Sequence, residues 1–509
     1  MGVIARQSIR GALANYLGVA IGFFTTFFVL TDCLSQEEIG LTRVMVDAAM
    51  LFSGLAQLGT NASIIKFFPF FKSEDGKNHG IFGWSILIPF IGFCIFALCF
   101  FIFKADIIDL YSQKSPLMAN YCYLLLPLTF FALYLAVFET NASVLLRITV
   151  PKLVREVGIR IFNLVCYILY GKEIISLDTF VILFCMSYGI AMLINFFYLL
   201  SLGKISFRID WKFITRERMK EIVLYTLFMT ATVLAGNIPL INTLFLGAQT
   251  GLALTGVYTI AFYIANIVEV PYRSLGAISR PMISQAVRDG NWSEVNRLGK
   301  QVSLHQFLVS TLILLLIWVN LEALFDVIPH GEEYVGGMRV VLFLGLAKIV
   351  NSSLSIGTDI LNFSKYYPLS LLFIVVLTMS AIVFNRWLIP LWGINGSACA
   401  TLFSYLLYFA CLLVFLRKKL DVGLFCRKQL FVALFILALF GLGELWDVTV
   451  LSVMRGIGGS PIVATLLNAL LKTVVLLGII LVVLKRAHIS KDIDAILEKV
   501  KLGPAARKR

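Results

Sequence analysis

LTRVMVDAAMLFSGLAQLG at residues 41–59 is followed, 217 residues later, by YTIAFYIANIVEVPYRSLG at 258–276. The pair ends on Leu58-Gly59 and Leu275-Gly276, and the same offset brings Pro151 onto Pro368 and Ser187-Tyr188 onto Ser404-Tyr405. Single matches arise easily in an apolar chain, so the weight rests on the apolar segments and their loops keeping one register throughout. The first half reads as copied into the second. A duplicated bundle of membrane helices is characteristic of transporters whose two lobes rock about a central site.

Composition sets the same frame. Hydrophobic residues make up 59% of the chain, charged residues only 14%, and the mean hydropathy is +0.90, which places it among polytopic membrane proteins. The net charge of +14 does not point to nucleic acid, because Lys and Arg occur in short tracts between apolar runs rather than along one amphipathic face. Nine cysteines, most of them inside apolar runs and without metal-ligand spacing, read as small free core residues. Arg6 and Arg10 precede an apolar run from Gly11 that lacks a small-residue cleavage site, so the run reads as a first membrane helix rather than a signal peptide.

Fourteen segments approach the roughly 20 apolar residues that a spanning helix needs. Their cores are 11–31, 41–65, 81–103, 119–146, 155–170, 178–202, 219–247, 253–276, 302–321, 338–362, 367–389, 395–416, 429–446 and 464–484. The fifth is short and interrupted by Arg160. The alternating loops on one side hold 33 of the 43 basic residues, against four (Lys104, Lys114, Lys172, Arg455) on the other. Both termini are therefore expected on the cytoplasmic side.

The repeat maps segments 1–6 onto 7–12. The expected organisation is an N-lobe (1–202), a basic interfacial linker (203–218), a C-lobe (219–419), an unrepeated helix pair (420–486) and a basic cytoplasmic tail (487–509). Six helices per lobe give both the same orientation, related by a pseudo-twofold axis along the membrane normal. The linker carries Asp210, Trp211 and a run of Lys and Arg; it reads either as amphipathic on anionic lipid or as a plain solvated loop.

Ionisable residues inside spans are costly and are functional candidates by default. Arg43 and Asp47, four residues apart, share a helical face, where they either pair with each other or line a cavity. Glu269 and Arg273 flank Pro271, which kinks the helix, either within a moving element or as a static kink at a helix end. Glu139 projects through the repeat onto position 356, one turn from Asp359, so both lobes place a carboxylate at similar depth. Lys348 and Asp359, eleven residues apart, return to one face after three turns, too distant to pair directly. Lys472, outside the repeat, either snorkels or pairs within the extra hairpin. Arg43, Arg273 and Lys348 are the candidate cations for an anionic substrate; Asp47, Glu139, Glu269 and Asp359 are the candidates for pairing, gating or ion coupling. Buried amides such as Asn195 and Asn242 read first as interhelical glue.

Enzyme readings find little support. The four histidines have no metal spacing, no Gly-rich phosphate loop is visible, and no cofactor is expected. A membrane glycosyltransferase or polymerase has one place to hide, the acidic outer loop with Glu322, Asp326, Glu332 and Glu333.

Residues 11–71, GALANYLGVAIGFFTTFFVLTDCLSQEEIGLTRVMVDAAMLFSGLAQLGTNASIIKFFPFF, resemble the opening of the Wzx-type polysaccharide flippases. The features shared are a short Glu-Glu-Ile-Gly turn (Glu37 to Gly40), a long second helix through Leu58-Gly59, and an exit at Lys66 and Pro69. The resemblance runs the whole length and includes the C-terminal hairpin. Related families are the multidrug extruders, usually of twelve helices, and the lipid II flippases, which carry basic residues in a first helix where residues 11–31 here have none. What the resemblance implies is a bacterial inner-membrane flippase. It would carry undecaprenyl-pyrophosphate-linked oligosaccharide to the periplasmic leaflet by alternating access, for capsule, O-antigen or exopolysaccharide assembly. Its partners would be membrane lipids and, in such pathways, a polysaccharide polymerase and assembly proteins. A cation-coupled drug or lipid exporter is the alternative within the superfamily.

Overall fold

The computed structural model describes residues 17–73, 77–203, 206–210, 213–235, 238–446, 449 and 461–487. The start of the first segment with Arg6 and Arg10, linker residues Lys204, Trp211 and Lys212, the outer Arg455, and the tail from 488 lie outside them. Among the described residues every regular element is a helix.

Ten of these helices are long and apolar enough to cross a membrane, and the protein is a multi-pass membrane protein. One of the ten, Leu369–Leu420, is broken at Gly393 (φ 55°, ψ −130°), between the predicted eleventh and twelfth segments. The first and fifth predicted segments fall on shorter helices, Leu17–Cys33 and Ile159–Gly171, and the seventh on two, Arg216–Ala235 and Ile238–Gln249.

Helices used below are α1 (Leu17–Cys33), α2 (Gln36–Ala56), α3 (Thr60–Phe71), α4 (Ile81–Ile102), α5 (Leu125–Val144), α6 (Ile159–Gly171) and α7 (Leu177–Ser201). They continue with α8 (Arg216–Ala235), α9 (Ile238–Gln249), α10 (Leu252–Asn266), α11 (Val270–Arg288), α12 (Trp292–Trp318) and α13 (Leu321–Val327). The last are α14 (Met338–Phe363), α15 (Leu369–Leu420), α16 (Arg427–Trp446) and α17 (Pro461–Ala487).

The chain divides into two compact units, Met1–Tyr263 with Pro368–Tyr408, and Ile264–Tyr367 with Phe409–Arg509. Each is assembled from separated stretches, whereas the lobes expected from the repeat are contiguous. Compactness of packing and descent by duplication divide a chain on different grounds.

In the first unit the Glu-Glu-Ile-Gly turn has a structural meaning residue by residue. Ser35 caps α2 reciprocally with Glu38: the Ser35 N–H donates to Glu38 Oε2 (2.8 Å) and the Glu38 N–H to Ser35 Oγ (3.4 Å). Glu38 Oε1 also accepts from the Tyr170 hydroxyl, tying α2 to the end of α6. Ile39 is buried. A Cβ at Gly40 would stand 2.0 Å from the Leu252 carbonyl oxygen, and one at Gly256 would stand 2.1 Å from that of Gln36. Helices α2 and α10 therefore touch backbone to backbone through small residues, the close approach favoured between membrane helices. The contact is reciprocal, since 216 residues separate Gly40 from Gly256 and Gln36 from Leu252. That spacing is one short of the sequence register.

The long second helix expected through Leu58-Gly59 is in fact two. Leu58 (φ 48°) and Gly59 (φ 69°) are left-handed and separate α2 from α3. The Thr226 carbonyl oxygen approaches where a Gly59 Cβ would stand, at 2.3 Å. The matching Leu275-Gly276 lies inside continuous α11, so the strongest identity of the repeat has two conformations.

Arg160, which interrupted the fifth segment, is accommodated by backbone: its guanidinium donates to the Gly18 carbonyl at 2.6 Å and lies 3.4 Å from Glu156. Deeper in the unit, Asn242 donates to Thr401 Oγ1 and accepts from Asn385 Nδ2, both at 2.6 Å, joining α9 to both limbs of α15. The described linker residues lie on this unit, with the Phe213 ring stacked on His79 at 3.6 Å and Phe207 edge-on to Phe82.

In the second unit, α12 is the organising helix. Leu304, Leu308, Leu315 and Val319 pack against Val432 and Leu439 of α16 and Leu476, Ile480 and Leu484 of α17, so the unrepeated hairpin docks there. Gln429 donates to Ser303 Oγ at 2.9 Å across the same seam.

Candidate functional site

Among the described residues, the candidate intramembrane charges enter four ion pairs, two in each unit, besides the Arg160–Glu156 contact. Arg43 Nε donates to Asp47 Oδ2 at 2.6 Å, one turn along α2. The guanidinium carbon lies 4.7 Å from the Phe262 ring centroid and 5.4 Å from that of Tyr263. Both side chains are nearly enclosed, at 13% and 5% exposure. This pair is a closed lock, with the cation covered by aromatic faces.

The second pair of that unit is open. Arg155 Nη1 donates to Glu139 Oε2 at 2.8 Å, with the arginine 44% and the glutamate 18% exposed. Arg155 sits in a π-helical turn, Val154–Gly158, leading into α6. Such turns are uncommon and recur at functional sites. Glu139 is anchored on α5, and its Oε1 is buried without a hydrogen-bond partner. Tyr188 of α7 lies within electrostatic reach of Arg155, Asp47 and Tyr263.

In the second unit the pairs form a ladder. Lys348 Nζ meets Glu269 Oε2 at 2.7 Å, and Asn351 donates to the other oxygen at 2.6 Å. Three turns further along α14, Asp359 accepts from Arg280 Nε at 3.0 Å. Arg280 also donates to the Tyr272 hydroxyl at 2.6 Å. Lys348 and Asp359 do share a face, and that face meets the segment containing Glu269 and α11. The upper rung is closed, at 10% and 15% exposure; the lower is open, with Arg280 43% and Asp359 16% exposed.

Each unit thus has one enclosed pair and one in which a mostly covered carboxylate holds a guanidinium that is itself over two-fifths exposed. Arg155 and Arg280 count among the 33 basic residues that charge asymmetry assigns to the loops of one side. The signal that marks them is a partner 16 residues away in one case and 79 in the other, which helical periodicity does not reach.

Arg273 lies on α11 and its side chain is outside the described residues. Pro271 stands in the first turn of α11, directly after a 3₁₀ turn at Ile267–Glu269, so it begins a helix there rather than kinking one. Of the acidic outer loop, Glu322 and Asp326 fall on α13, while Glu332 and Glu333 lie in a 3₁₀ turn at Gly331–Gly337.

The family described as polysaccharide biosynthesis protein matches residues 5–287. An uncharacterized membrane protein of Methanocaldococcus jannaschii is 25% identical over 202 residues; the match spans 38% of this chain and 40% of that relative. Among solved structures, the lipid II flippase MurJ in an inward closed conformation superposes with a TM-score of 0.69 at 13% identity, covering 95% of this chain and all of that one. An inward-facing multidrug resistance MATE family transporter of the MOP superfamily gives 0.59 at 15% identity, covering 83% and 98%. Both likenesses concern the fold, and they agree with the resemblance read from residues 11–71. The chain belongs to the polysaccharide biosynthesis protein family and has the helical fold shared by MurJ and the MATE transporters.

Proposed function

We propose that this protein is a flippase for polyprenyl-pyrophosphate-linked oligosaccharide, moving the lipid-linked repeat unit from the cytoplasmic to the periplasmic leaflet during polysaccharide assembly. The observation that carries the proposal is the partly exposed, carboxylate-held guanidinium in each unit, Arg155 on Glu139 and Arg280 on Asp359. A guanidinium held on one side by a carboxylate keeps further N–H donors for phosphate oxygens. Family membership supports the saccharide, and the reciprocal α2–α10 contact supports two lobes, 1–202 and 219–419, related by duplication.

In this reading each unit offers the pyrophosphate a guanidinium of its own, Arg155 in the first and Arg280 in the second, with Arg273 two turns from Arg280 on α11 as a further candidate. Arg43–Asp47 and Lys348–Glu269 act as gates that hold one conformation, and the exchange of partners between carboxylate and phosphate shifts the population of states. The unpartnered Glu139 oxygen is a place for a coupling proton or cation. Both termini are cytoplasmic, which brings the basic loops to the leaflet where substrate is loaded.

Translocation of a lipid-linked oligosaccharide into proteoliposomes tests the reading. Arg155→Gln and Arg280→Gln are each expected to slow flipping about tenfold or more, the loss of one charge-assisted contact. Wild-type rates in both variants would remove the two arginines from the mechanism, and an inactive wild type would remove the function itself.

A further inference from the structure

Residues 421–426 join α15 to the unrepeated hairpin, and this short loop holds a buried leucine. Leu424 is 1% exposed, whereas its neighbour Phe425 is 60% exposed. The side chain is seated between two glycines: a Cβ at Gly299 of α12 would stand 2.9 Å from Leu424 Cδ2, and one at Gly357 of α14 would stand 2.9 Å from Cδ1. Leu412 and Leu416 of α15 close the same seat. The Gly423 N–H donates to Asn296 Oδ1 of α12 at 3.1 Å, and the Cys426 N–H to Gln429 Oε1 of α16 at 2.9 Å. Gly357 stands two residues before Asp359, the carboxylate that holds Arg280.

The first unit has the same arrangement after α7. Residues 206–210 carry no helix, and their backbone lies against the start of α4. A Cβ at Gly83 would stand 2.6 Å from the Phe207 carbonyl oxygen, and one at Gly80 would stand 2.3 Å from that of Arg208. His79 Nδ1 lies 3.5 Å from Asp210 Oδ2. The Phe207 ring meets Phe82 at 5.3 Å, and Phe82 meets Phe138, the residue before Glu139, at 6.4 Å. The correspondence follows the repeat. Phe207 and Leu424 are 217 residues apart, as are His79 and Asn296, while Gly83 and Gly299 are 216 apart. Each half of the duplication therefore ends in a strap that returns over a glycine of its third helix and reaches the helix bearing the carboxylate of the open pair.

Glycines at these seats let the strap approach where any side chain would hold it off, the close packing by which membrane helices associate. Packed interiors have few voids and transmit displacement, so a strap wedged against Gly357 or Phe82 sets where the neighbouring carboxylate stands. We propose that Phe207 and Leu424 are positioning residues for the two open pairs. Leu424 acts on Asp359 and Arg280 through Gly357; Phe207 acts on Glu139 and Arg155 through Phe82 and Phe138. In the proposed flippase, on which this role rests, those pairs are the groups that hold phosphate.

Hydrogen exchange of the full-length protein in detergent, read by mass spectrometry, tests the positioning without transport. Leu424→Ala is expected to speed exchange in the stretch 352–361 of α14 and to leave 136–144 of α5 unchanged. Phe207→Ala should do the reverse. Leu424→Met, which conserves volume, should keep the wild-type pattern. The second measurement is flipping of a lipid-linked oligosaccharide in proteoliposomes. Leu424→Ala is expected to slow it about fivefold and to add nothing to the loss in Arg280→Gln, because residues that act as one unit are not additive. Exchange raised equally throughout the chain, no change in 352–361, or a loss additive with that of Arg280→Gln would each overturn the positioning role. A wild type that does not flip would remove the proposed function, while exchange would still decide whether the strap holds α14.

Discussion

Arg43 and Arg155 are both membrane-protein arginines held by a carboxylate, yet the uncovered fraction of the cation sets them apart. Arg43 is enclosed between Asp47 and two aromatic rings, and Arg155 stays over two-fifths exposed. Breaking an enclosed pair strands a charge, whereas removing both partners does not. Asp47→Asn is therefore expected to destabilise the protein by about 3–5 kcal/mol, and Arg43→Met added to it should restore most of the loss. Thermal unfolding of the purified protein in detergent measures both; equal stability of wild type and Asp47→Asn would show that the pair is not a lock. The pairing of Arg43 with Asp47 was legible in the sequence because four residues is one helical turn. Glu269 with Lys348 and Asp359 with Arg280 were not, since each partner lies 79 residues off and the match depends on how two helices are rotated.

At the scale of elements, small residues decide where helices meet. Lipid tails are as apolar as Leu, so helices associate by close packing and polar contacts rather than by leaving water. Gly40 and Gly256 permit the α2–α10 contact from both sides. Gly40→Leu and Gly256→Leu should each force the helices apart, and cross-linking between cysteines placed at Gln36 and Leu252 should fall in either variant. Unchanged cross-linking would show that the backbone contact is not needed. Asn242→Leu removes two hydrogen bonds of the α9–α15 seam and is expected to lower unfolding free energy by about 1–2 kcal/mol, read in the same detergent assay. The break at Leu58-Gly59 escaped the hydropathy reading because a left-handed pair is as apolar as the helix around it. The left-handed backbone of Gly59 and the Thr226 carbonyl pressed against it together explain why a glycine stands there.

For the whole molecule, charge counting makes a prediction that the coordinates alone do not carry. With all native cysteines replaced, a single cysteine in place of Lys172 should react with a membrane-impermeant thiol reagent added outside intact spheroplasts. One in place of Asp289 should react only after lysis. Both positions are exposed. The reverse pattern would invert the topology and move the loading side of the proposed flippase.

Hydropathy and the asymmetry of Lys and Arg are sums along the chain, so the sequence by itself determined a polytopic helical membrane protein and its family resemblance. Partner choice is a property of three dimensions. Tertiary structure alone decided that Arg43 and Lys348 are enclosed, that Arg155 and Arg280 stay over two-fifths exposed beside their carboxylates, and that the added hairpin packs on α12. The physical reason is that an intramembrane charge is stabilised by whichever opposite charge the helix packing brings within about 3 Å, and that packing is set by glycines, breaks and polar contacts whose effects hydropathy does not register.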